Sequence, residues 1–184
     1  MRKPSDRILQ AAYHLFANKG YHGTSTKEIA RRARVSEATI FRQFKDKHGV
    51  AAAVAKRSEA WLRDSKQTRL VEPEDFKLAA GMFLRWFSHH LTLDFMRVHL
   101  IFALRVPDVI NRDTPPAFEA LIQRIEREHA KGGSACADAV TCARGLAYCV
   151  LGARLASLLW DQPELSRHDI NDCLNIWLYG ALPR

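Results

Sequence analysis

Ten residues, VSEATIFRQF at positions 35–44, combine a helix cap, small side chains and long hydrogen-bonding arms. Ser36 is a residue type that accepts a hydrogen bond from the first turn of a helix. Ala38 adds little bulk near the cap, whereas Arg42 and Gln43 are long enough to reach base edges or phosphates. Arginine and glutamine form paired hydrogen bonds with guanine and adenine in the major groove of DNA. The segment is therefore suited to recognising a nucleic acid.

Two short helices joined by a tight turn are predicted to position these side chains. Ser25 and Glu28 have the spacing of a capping box, in which each side chain bonds to the backbone of the other residue. A helix is therefore predicted after Ser25, and Ser36 starts another helix after the turn at 34–35. Helices in this order form a helix-turn-helix, whose second helix enters the major groove.

The second of these helices has two different sides. Ala38 and Thr39 are small, so its first turn can approach the base edges closely. Ile40 and Phe44 lie on the other side, where they are expected to pack on the first two helices. This division is expected of a short helix that is anchored on one side and reads DNA with the other.

Basic residues are concentrated at the N-terminal end of the chain. Residues 1–50 hold 11 lysines and arginines and four acidic residues, whereas the whole chain of 184 residues has a net charge of only +8. Lys45 and Lys47 directly follow the second helix, where the wall of the groove would be. A basic module joined to a nearly neutral body favours a polyanionic partner such as nucleic acid.

The remaining chain is also predicted to be helical. Apolar residues recur at helical spacing, and no segment shows the alternation of a β-strand. The predicted helices run from a cap at Ser5 to Lys19, from Asp46 past Trp61, and over 73–91, 93–105, 114–131, 135–160 and 166–179. We therefore expect an all-α protein.

Composition argues against several other classes of protein. The residues after Met1 are polar and Arg154 interrupts the most apolar stretch, so we expect no signal peptide, no membrane span and a cytoplasmic location. Four cysteines lie in the last third of the chain without zinc-site spacing, which favours reduced thiols. No nucleophile, base or metal ligands converge, so we expect no enzyme, no catalytic residue, no metal and no cofactor. A redox-sensing regulator that uses these cysteines stays open as an alternative.

An ordered set of motifs in residues 8–55 resembles the N-terminal domain of the TetR family of transcriptional regulators. The motifs are LF-x-x-x-GY, TST-x-x-IA, VS-x-x-TIF-x-x-F and the K-x-K that opens the fourth helix. The resemblance implies a three-helix DNA-binding domain at 1–50, with its helix-turn-helix at 25–44, and an all-helical regulatory and dimerisation domain at 51–184. It further implies a repressor that binds a palindromic operator as a homodimer and responds to a small apolar or aromatic effector.

The resemblance also implies which residues touch DNA. Thr26, Lys27 and Lys47 would lie against phosphates. Arg34 stands where the family usually has glycine, which costs about 1 kcal/mol if the left-handed backbone is kept, and its guanidinium is then a candidate phosphate contact. Phe41 replaces a common tyrosine, so its ring can pack but offers no phenol hydrogen bond. The full set of candidate DNA contacts is Thr26, Lys27, Arg34, Ser36, Glu37, Ala38, Thr39, Phe41, Arg42, Gln43, Lys45 and Lys47.

The body is expected to hold an effector pocket and a dimer interface. Aromatic and histidine side chains are the pocket candidates, although such residues are more often plain core. They are Trp86, His90, Phe95, His99, Phe102, Phe118, Tyr148 and Trp160. Small residues in 135–160 allow close packing with a partner, or mark a helix central to its own subunit. The candidate interface, which includes the last helix, is Ala139, Ala143, Gly152, Ala156, Leu174 and Trp177.

Overall fold

The structure is a computed structural model of the chain, and it describes residues 3–132, 138–160 and 166–181. No β-strand occurs in these ranges, and the all-α class is confirmed. The helices are α1 (Pro4–Lys19), α2 (Thr26–Ala33), α3 (Glu37–Phe44), α4 (Lys47–Ser58), α5 (Phe76–His90), α6 (Leu93–Arg105), α7 (Pro116–Ala130), α8 (Ala139–Trp160) and α9 (Arg167–Ala181). Short 3₁₀ segments lie at Ala60–Arg63, Ser65–Val71 and Pro107–Val109.

The first helix starts on a proline and ends on a glycine. Pro4 is the first residue of α1, a position where its missing N–H would have had no helical acceptor. The predicted cap at Ser5 is wrong, because Ser5 lies inside the helix and Lys3 occupies the cap position without a side-chain bond. Gly20 ends α1 with φ of 73°, a backbone conformation that glycine adopts easily. The predicted end of this helix is confirmed.

Side-chain caps start α2 and α3 as the sequence predicts. The Ser25 hydroxyl accepts from the Glu28 N–H at 3.2 Å, and the Ser36 hydroxyl accepts from the Thr39 N–H at 3.3 Å. The carboxylate of Glu28 pairs with the ammonium of Lys19 at the end of α1. The hydrogen bond to the serine of the capping box is therefore formed, and the Glu28 side chain links α2 to α1.

The turn between α2 and α3 is built around Arg34 in the left-handed conformation, with φ of 55° and ψ of 51°. The Arg34 N–H donates to the Arg31 carbonyl at 3.3 Å, and the Val35 N–H donates to the Ala30 carbonyl at 3.1 Å. This pair of bonds is the Schellman motif, which normally has glycine at the left-handed position. The left-handed backbone of Arg34 therefore costs free energy that glycine would not.

The turn between α3 and α4 requires a residue without a side chain. Asp46 caps α4 by accepting from the Gly49 N–H at 2.7 Å. A Cβ atom added to Gly49 would lie 1.8 Å from the carbonyl oxygen of Phe44, a distance at which backbone must move. Gly49 thus lets the first turn of α4 pack directly on the end of α3.

One compact unit comprises Met1–Ala60 and Asp94–Arg112. Its core contains the fully buried rings of Phe16 on α1 and Phe102 on α6, which meet edge to face with centroids 5.3 Å apart. We call it the N-terminal unit. It extends beyond the expected domain at 1–50, because α4 and α6 complete the apolar core of the first three helices.

The second compact unit comprises Trp61–Leu93 and Asp113–Arg184. In it α5, α7, α8 and α9 pack on one another. The predicted continuation of the fourth helix past Trp61 is wrong, because α4 ends at Ser58 and 3₁₀ segments follow. We call this part the C-terminal unit.

Among the described residues, α8 is the one helix long and apolar enough to cross a membrane by length and composition alone. Its most apolar 18-residue window is 39% buried inside the structure. Arg154 lies on this helix, is buried, and donates to the Ser88 carbonyl on α5 at 3.0 Å. The composition of α8 is therefore also that of a helix packed inside its own unit.

Replacing Arg34 by glycine is expected to raise the free energy of unfolding by about 0.5–1 kcal/mol. The substitution removes a left-handed penalty of about 1–2 kcal/mol, part of which the greater flexibility of unfolded glycine offsets. Urea denaturation followed by circular dichroism measures the change. Arg34→Ala is the matched control, because it removes the guanidinium but keeps the penalty. If the glycine variant were no more stable than the alanine variant, the left-handed backbone at position 34 would carry no free-energy cost.

Candidate nucleic-acid interface

The helix α3 buries one side and exposes the other. Ile40 is fully buried and Phe44 packs partly against the core of the N-terminal unit, as predicted. The exposed candidate contacts on this helix are Ala38, Phe41, Arg42 and Gln43. The ring of Phe41 is 49% exposed, so its packing is only partial. The exposed side of α3 thus carries a small residue in its first turn and long polar side chains in its last turn.

Thr26 and Glu37 link the two helices of the helix-turn-helix. The Thr26 hydroxyl donates to Oε1 of Glu37 at 2.5 Å, joining the start of α2 to the start of α3. A threonine hydroxyl has one hydrogen, so Thr26 cannot donate to a phosphate while this bond is formed. The second carboxylate oxygen of Glu37 is suited to accept from a base amino group such as cytosine N4. Neither consequence can be read from residue types alone.

Ser36 and Thr39 share one hydrogen bond at the first turn of α3. Their hydroxyl oxygens lie 2.8 Å apart, and either can be the donor. Two hydroxyls carry two hydrogens, and this bond uses one of them. One hydrogen is therefore left at the start of the helix, where a phosphate oxygen is a favourable acceptor.

Lys47 ties the turn between α1 and α2 to the start of α4. Its ammonium donates to the carbonyl oxygens of Tyr21 at 3.0 Å and Thr24 at 3.1 Å, and lies 4.4 Å from the centroid of the Tyr21 ring. At most one of its N–H groups is left for a phosphate. Burial first, and then the carboxylates of Asp46 and Asp108, raise the pKa of the Tyr21 phenol. The predicted phosphate contact thus shares its ammonium with a structural role.

The other cationic candidates are open to solvent. They are Lys27, Arg34, Arg42 and Lys45. Each of these residues is exposed and makes no ion pair within the described part of the chain. Exposed, unpaired cations can neutralise phosphates without first breaking an internal bond. The geometry therefore suits phosphate binding around a helix that presents polar arms.

Three of the predicted pocket residues share an aromatic cluster in the C-terminal unit. Trp61 stacks on His90 with centroids 4.7 Å apart and meets Trp86 edge to face at 5.1 Å. Phe118 meets Phe83 edge to face at 4.9 Å. His90 Nδ1 lies 2.9 Å from the Trp86 carbonyl, which makes this nitrogen the donor and leaves Nε2 as an acceptor in the neutral ring. Trp86, His90 and Phe118 are thus brought together, with Trp61 as a neighbour that sequence analysis missed.

The remaining pocket candidates lie elsewhere. Phe102 belongs to the core of the N-terminal unit, where Phe95 and His99 also stack with centroids 3.8 Å apart. Tyr148 and Trp160 are 60% and 67% exposed. These last two cannot line an enclosed pocket within the chain, and the prediction is corrected for them. Helical spacing shows that residues share a face of a helix but not what covers that face.

The predicted dimer residues divide between interior and surface. Ala139, Ala143 and Leu174 are 6%, 0% and 4% exposed, so packing inside the C-terminal unit already covers them. The indole N–H of Trp177 donates to the Cys142 carbonyl at 3.0 Å, which joins α9 to α8. The interface prediction is therefore corrected for the three buried residues. Gly152 is exposed and Ala156 is half-buried.

An exposed apolar stripe runs along α8, and sequence analysis did not single it out. Tyr148, Gly152, Leu155 and Leu159 follow one another at spacings of four, three and four residues. Tyr148 and Leu159 are 60% and 59% exposed. Residues at this spacing form one face of a helix. The apolar surface of α8 therefore exceeds what its own unit covers.

The cysteines differ from the expectation of four reduced thiols. Cys142 is disulfide-bonded, whereas Cys149 and Cys173 are free and half-buried. Cys136 lies outside the described residues. Burial, followed by the neighbouring Cys149, raises the pKa of the Cys173 thiol. A raised pKa keeps this thiol protonated, which is the less reactive form and gives no support to redox sensing by Cys173.

The N-terminal part of the chain is similar to one family of known proteins. Residues 8–54 match the family described as bacterial regulatory proteins, tetR family. An uncharacterized HTH-type transcriptional regulator of Bacillus subtilis, YvkB, is 57% identical over 54 residues. This similarity spans 29% of the chain and 29% of that relative. The family match at residues 8–54 includes α2 and α3 and no residue of the C-terminal unit.

Solved structures extend the likeness to the whole fold. A TetR family regulator from Marinobacter aquaeolei has a TM-score of 0.74 at 18% identity, covering 98% of this chain and 96% of that one. PfmR, a TetR family regulator from Thermus thermophilus, has a TM-score of 0.70 at 22% identity, with complete coverage of both chains. Similarity at these identities establishes the fold alone. All three of these proteins are named as regulators.

Replacing Lys47 by alanine is expected to lower the free energy of unfolding by about 1–3 kcal/mol, because two hydrogen bonds from a charged donor are lost. Urea denaturation of the full chain measures this change. Lys27→Ala removes an exposed lysine without a partner and should change stability by less than about 0.5 kcal/mol. Equal stabilities of the two variants would show that the bonds to Tyr21 and Thr24 contribute nothing.

Proposed function

We propose that this protein, whose residues 8–54 match the tetR family of bacterial regulatory proteins, is a sequence-specific, DNA-binding repressor of transcription that acts in the cytoplasm as a ligand-responsive homodimer. The observation that carries the proposal is the geometry of α3. Its Ile40 side is buried, its start is capped by Ser36, and Arg42 and Gln43 are exposed. A helix anchored in this way can enter the major groove without changing its own packing.

Base reading and phosphate binding fall to different residues of this surface. Arg42, Gln43 and the free oxygen of Glu37 offer the hydrogen bonds that distinguish bases. Lys27 and Lys45 supply charge that acts equally on every sequence. The fit is to the major groove of duplex DNA rather than to single strands, because Phe41 is the one aromatic ring exposed on α3.

The homodimer is supported by the apolar stripe on α8. Two copies that bring their stripes together would cover Tyr148, Leu155 and Leu159 on both sides. Gly152 lies within the stripe, and nothing stands within 4 Å of a Cβ added there, so a partner helix can approach closely. A two-fold dimer presents two copies of α3, which matches an operator with two half-sites.

The effector is proposed to bind at the aromatic cluster of the C-terminal unit. The indole N–H of Trp86 is buried and has no hydrogen-bond partner in the described structure. Unsatisfied buried donors are costly, so a ligand that supplies an acceptor would be favoured. An apolar or aromatic molecule with one acceptor oxygen fits these surroundings. Such a ligand acts on DNA binding by preferring one form of the dimer, with a reciprocal coupling of typically about 1–3 kcal/mol.

Selection from random duplex DNA tests the function directly. We expect the full-length protein to enrich a near-palindromic site, because paired recognition helices read two equivalent half-sites. Gln43→Ala should then change the preference at one position of each half-site by about 1–3 kcal/mol. Lys45→Ala is the control, and should weaken binding to all sequences alike. A Gln43→Ala variant that loses affinity equally on every sequence would make Gln43 a phosphate contact.

Leu159→Glu is expected to convert the dimer to a monomer, because each new carboxylate would be buried opposite its symmetry-related copy. Light scattering at micromolar concentration measures the mass. Leu104→Glu is the matched control, since Leu104 is 71% exposed on α6 and lies outside the stripe. Both variants remaining dimeric would exclude the stripe as the interface, and a monomeric wild type would exclude the dimer.

A further inference from the structure

A basic cleft lies between α1 and α2, and Arg34 is the one residue of its lining that is also among the candidate DNA contacts. Its volume is about 500 Å³, and its polar lining comes from Arg7, Gln10 and His14 on α1 and from Arg32 and Arg34 at the end of α2. No acidic side chain lines it. Three guanidinium groups therefore share one open cleft with an imidazole and an amide.

The acidic residues of this part of the chain are all engaged elsewhere. Asp6 pairs with Arg57 at 2.8 Å, and Glu28 pairs with Lys19. Glu37 accepts from Thr26, and Asp46 caps α4. These four are the only carboxylates among residues 1–50. Residues 1–50 thus offer no free carboxylate that could neutralise the arginines of the cleft.

The three arginines themselves are unpaired. Arg7, Arg32 and Arg34 make no ion pair in the part of the chain that the structure describes. The Nε of Arg7 is buried and has no acceptor. Like charges gathered without a counter-ion repel one another, and an anion bound among them removes that repulsion. Guanidinium groups match phosphate oxygens with two parallel hydrogen bonds, so phosphate is the anion this lining suits.

The position of the cleft in the chain favours a phosphate of DNA. Arg34 stands two residues before Ser36, which caps the recognition helix. Arg32 is on α2, whose first turn carries Thr26 and Lys27. One rim of the cleft is therefore adjacent to the start of the helix that reads bases.

We propose that this cleft binds the phosphate backbone of DNA flanking the half-site that α3 reads. The inference rests on the proposed DNA-binding function and adds a phosphate contact outside the half-site to those of Lys27 and Lys45. It also gives a reason for arginine in the strained turn. Arg34→Gly should be the more stable protein and yet the weaker DNA binder, because it relieves the backbone and removes a cation from the cleft.

The experiment compares full-length wild type with Arg7→Ala/Arg32→Ala on two duplexes. Both carry the site that the wild type selects from random DNA, one ending at the site and one extended by about ten base pairs on each side. We expect the wild type to bind the extended duplex about tenfold more tightly at low salt, and the variant to lose that preference. The salt dependence of the variant on the extended duplex should fall by about two units, close to one per lost phosphate contact.

A control variant separates the cleft from net charge. Lys56→Ala/Lys66→Ala removes the same charge from exposed lysines outside the cleft, and should keep the flank preference. Arg32→Glu changes a single exposed residue and should abolish the preference if the double variant folds poorly.

The outcomes are distinct. A flank preference and salt slope unchanged in both cleft variants would overturn the cleft proposal while leaving the regulator intact. A cleft that takes a free anion instead would show inorganic phosphate raising the melting temperature of the wild type alone, with no flank preference, and this too would overturn it. Wild-type protein that binds no duplex would overturn the DNA-binding function and the cleft together.

Discussion

The helix α3 depends on its neighbours, because eight residues are too few for a stable helix on their own. Each restraint on α3 comes from a different direction. Ser36 caps its start, Ile40 fixes one side in the core, and the Thr26–Glu37 bond joins it to α2. Gly49 lets α4 pack against its end. These contacts supply the rigidity that the helix lacks alone and that the proposed reading of base edges requires.

The same contacts decide where positive charge is exposed. Every carboxylate of the first 50 residues has a partner within the N-terminal unit, so the basic residues left over are the ones without such partners. Lys47 has no carboxylate partner either, but its ammonium donates to the carbonyl oxygens of Tyr21 and Thr24. Net charge alone would have counted Lys47 equally with Lys27. The pattern of internal bonds therefore decides which cations remain exposed for the proposed contacts with phosphate.

The C-terminal unit exposes apolar side chains on α8. Packing covers Ala139 and Ala143 on one side of α8, while Tyr148, Leu155 and Leu159 stay exposed on another. A helix that is apolar on both sides gains stability from a second partner once its own unit is complete. In the aromatic cluster, by contrast, Trp86 is buried, and its indole N–H has no hydrogen-bond partner in the described structure. The proposed dimer partner and the proposed effector would thus use separate features of this unit.

The amino-acid sequence by itself determined the helical class, the caps at Ser25 and Ser36, and the two sides of α3, because these signals act within one or two helical turns. Only the tertiary structure decided which apolar residues face which neighbour. Phe102 completes the core around Phe16, whereas Tyr148 remains exposed, although both have the helical spacing of core residues. Burial depends on the element packed opposite, which is distant in the chain, and hydrogen bonds such as that of Lys47 to Thr24 depend on the same assembly.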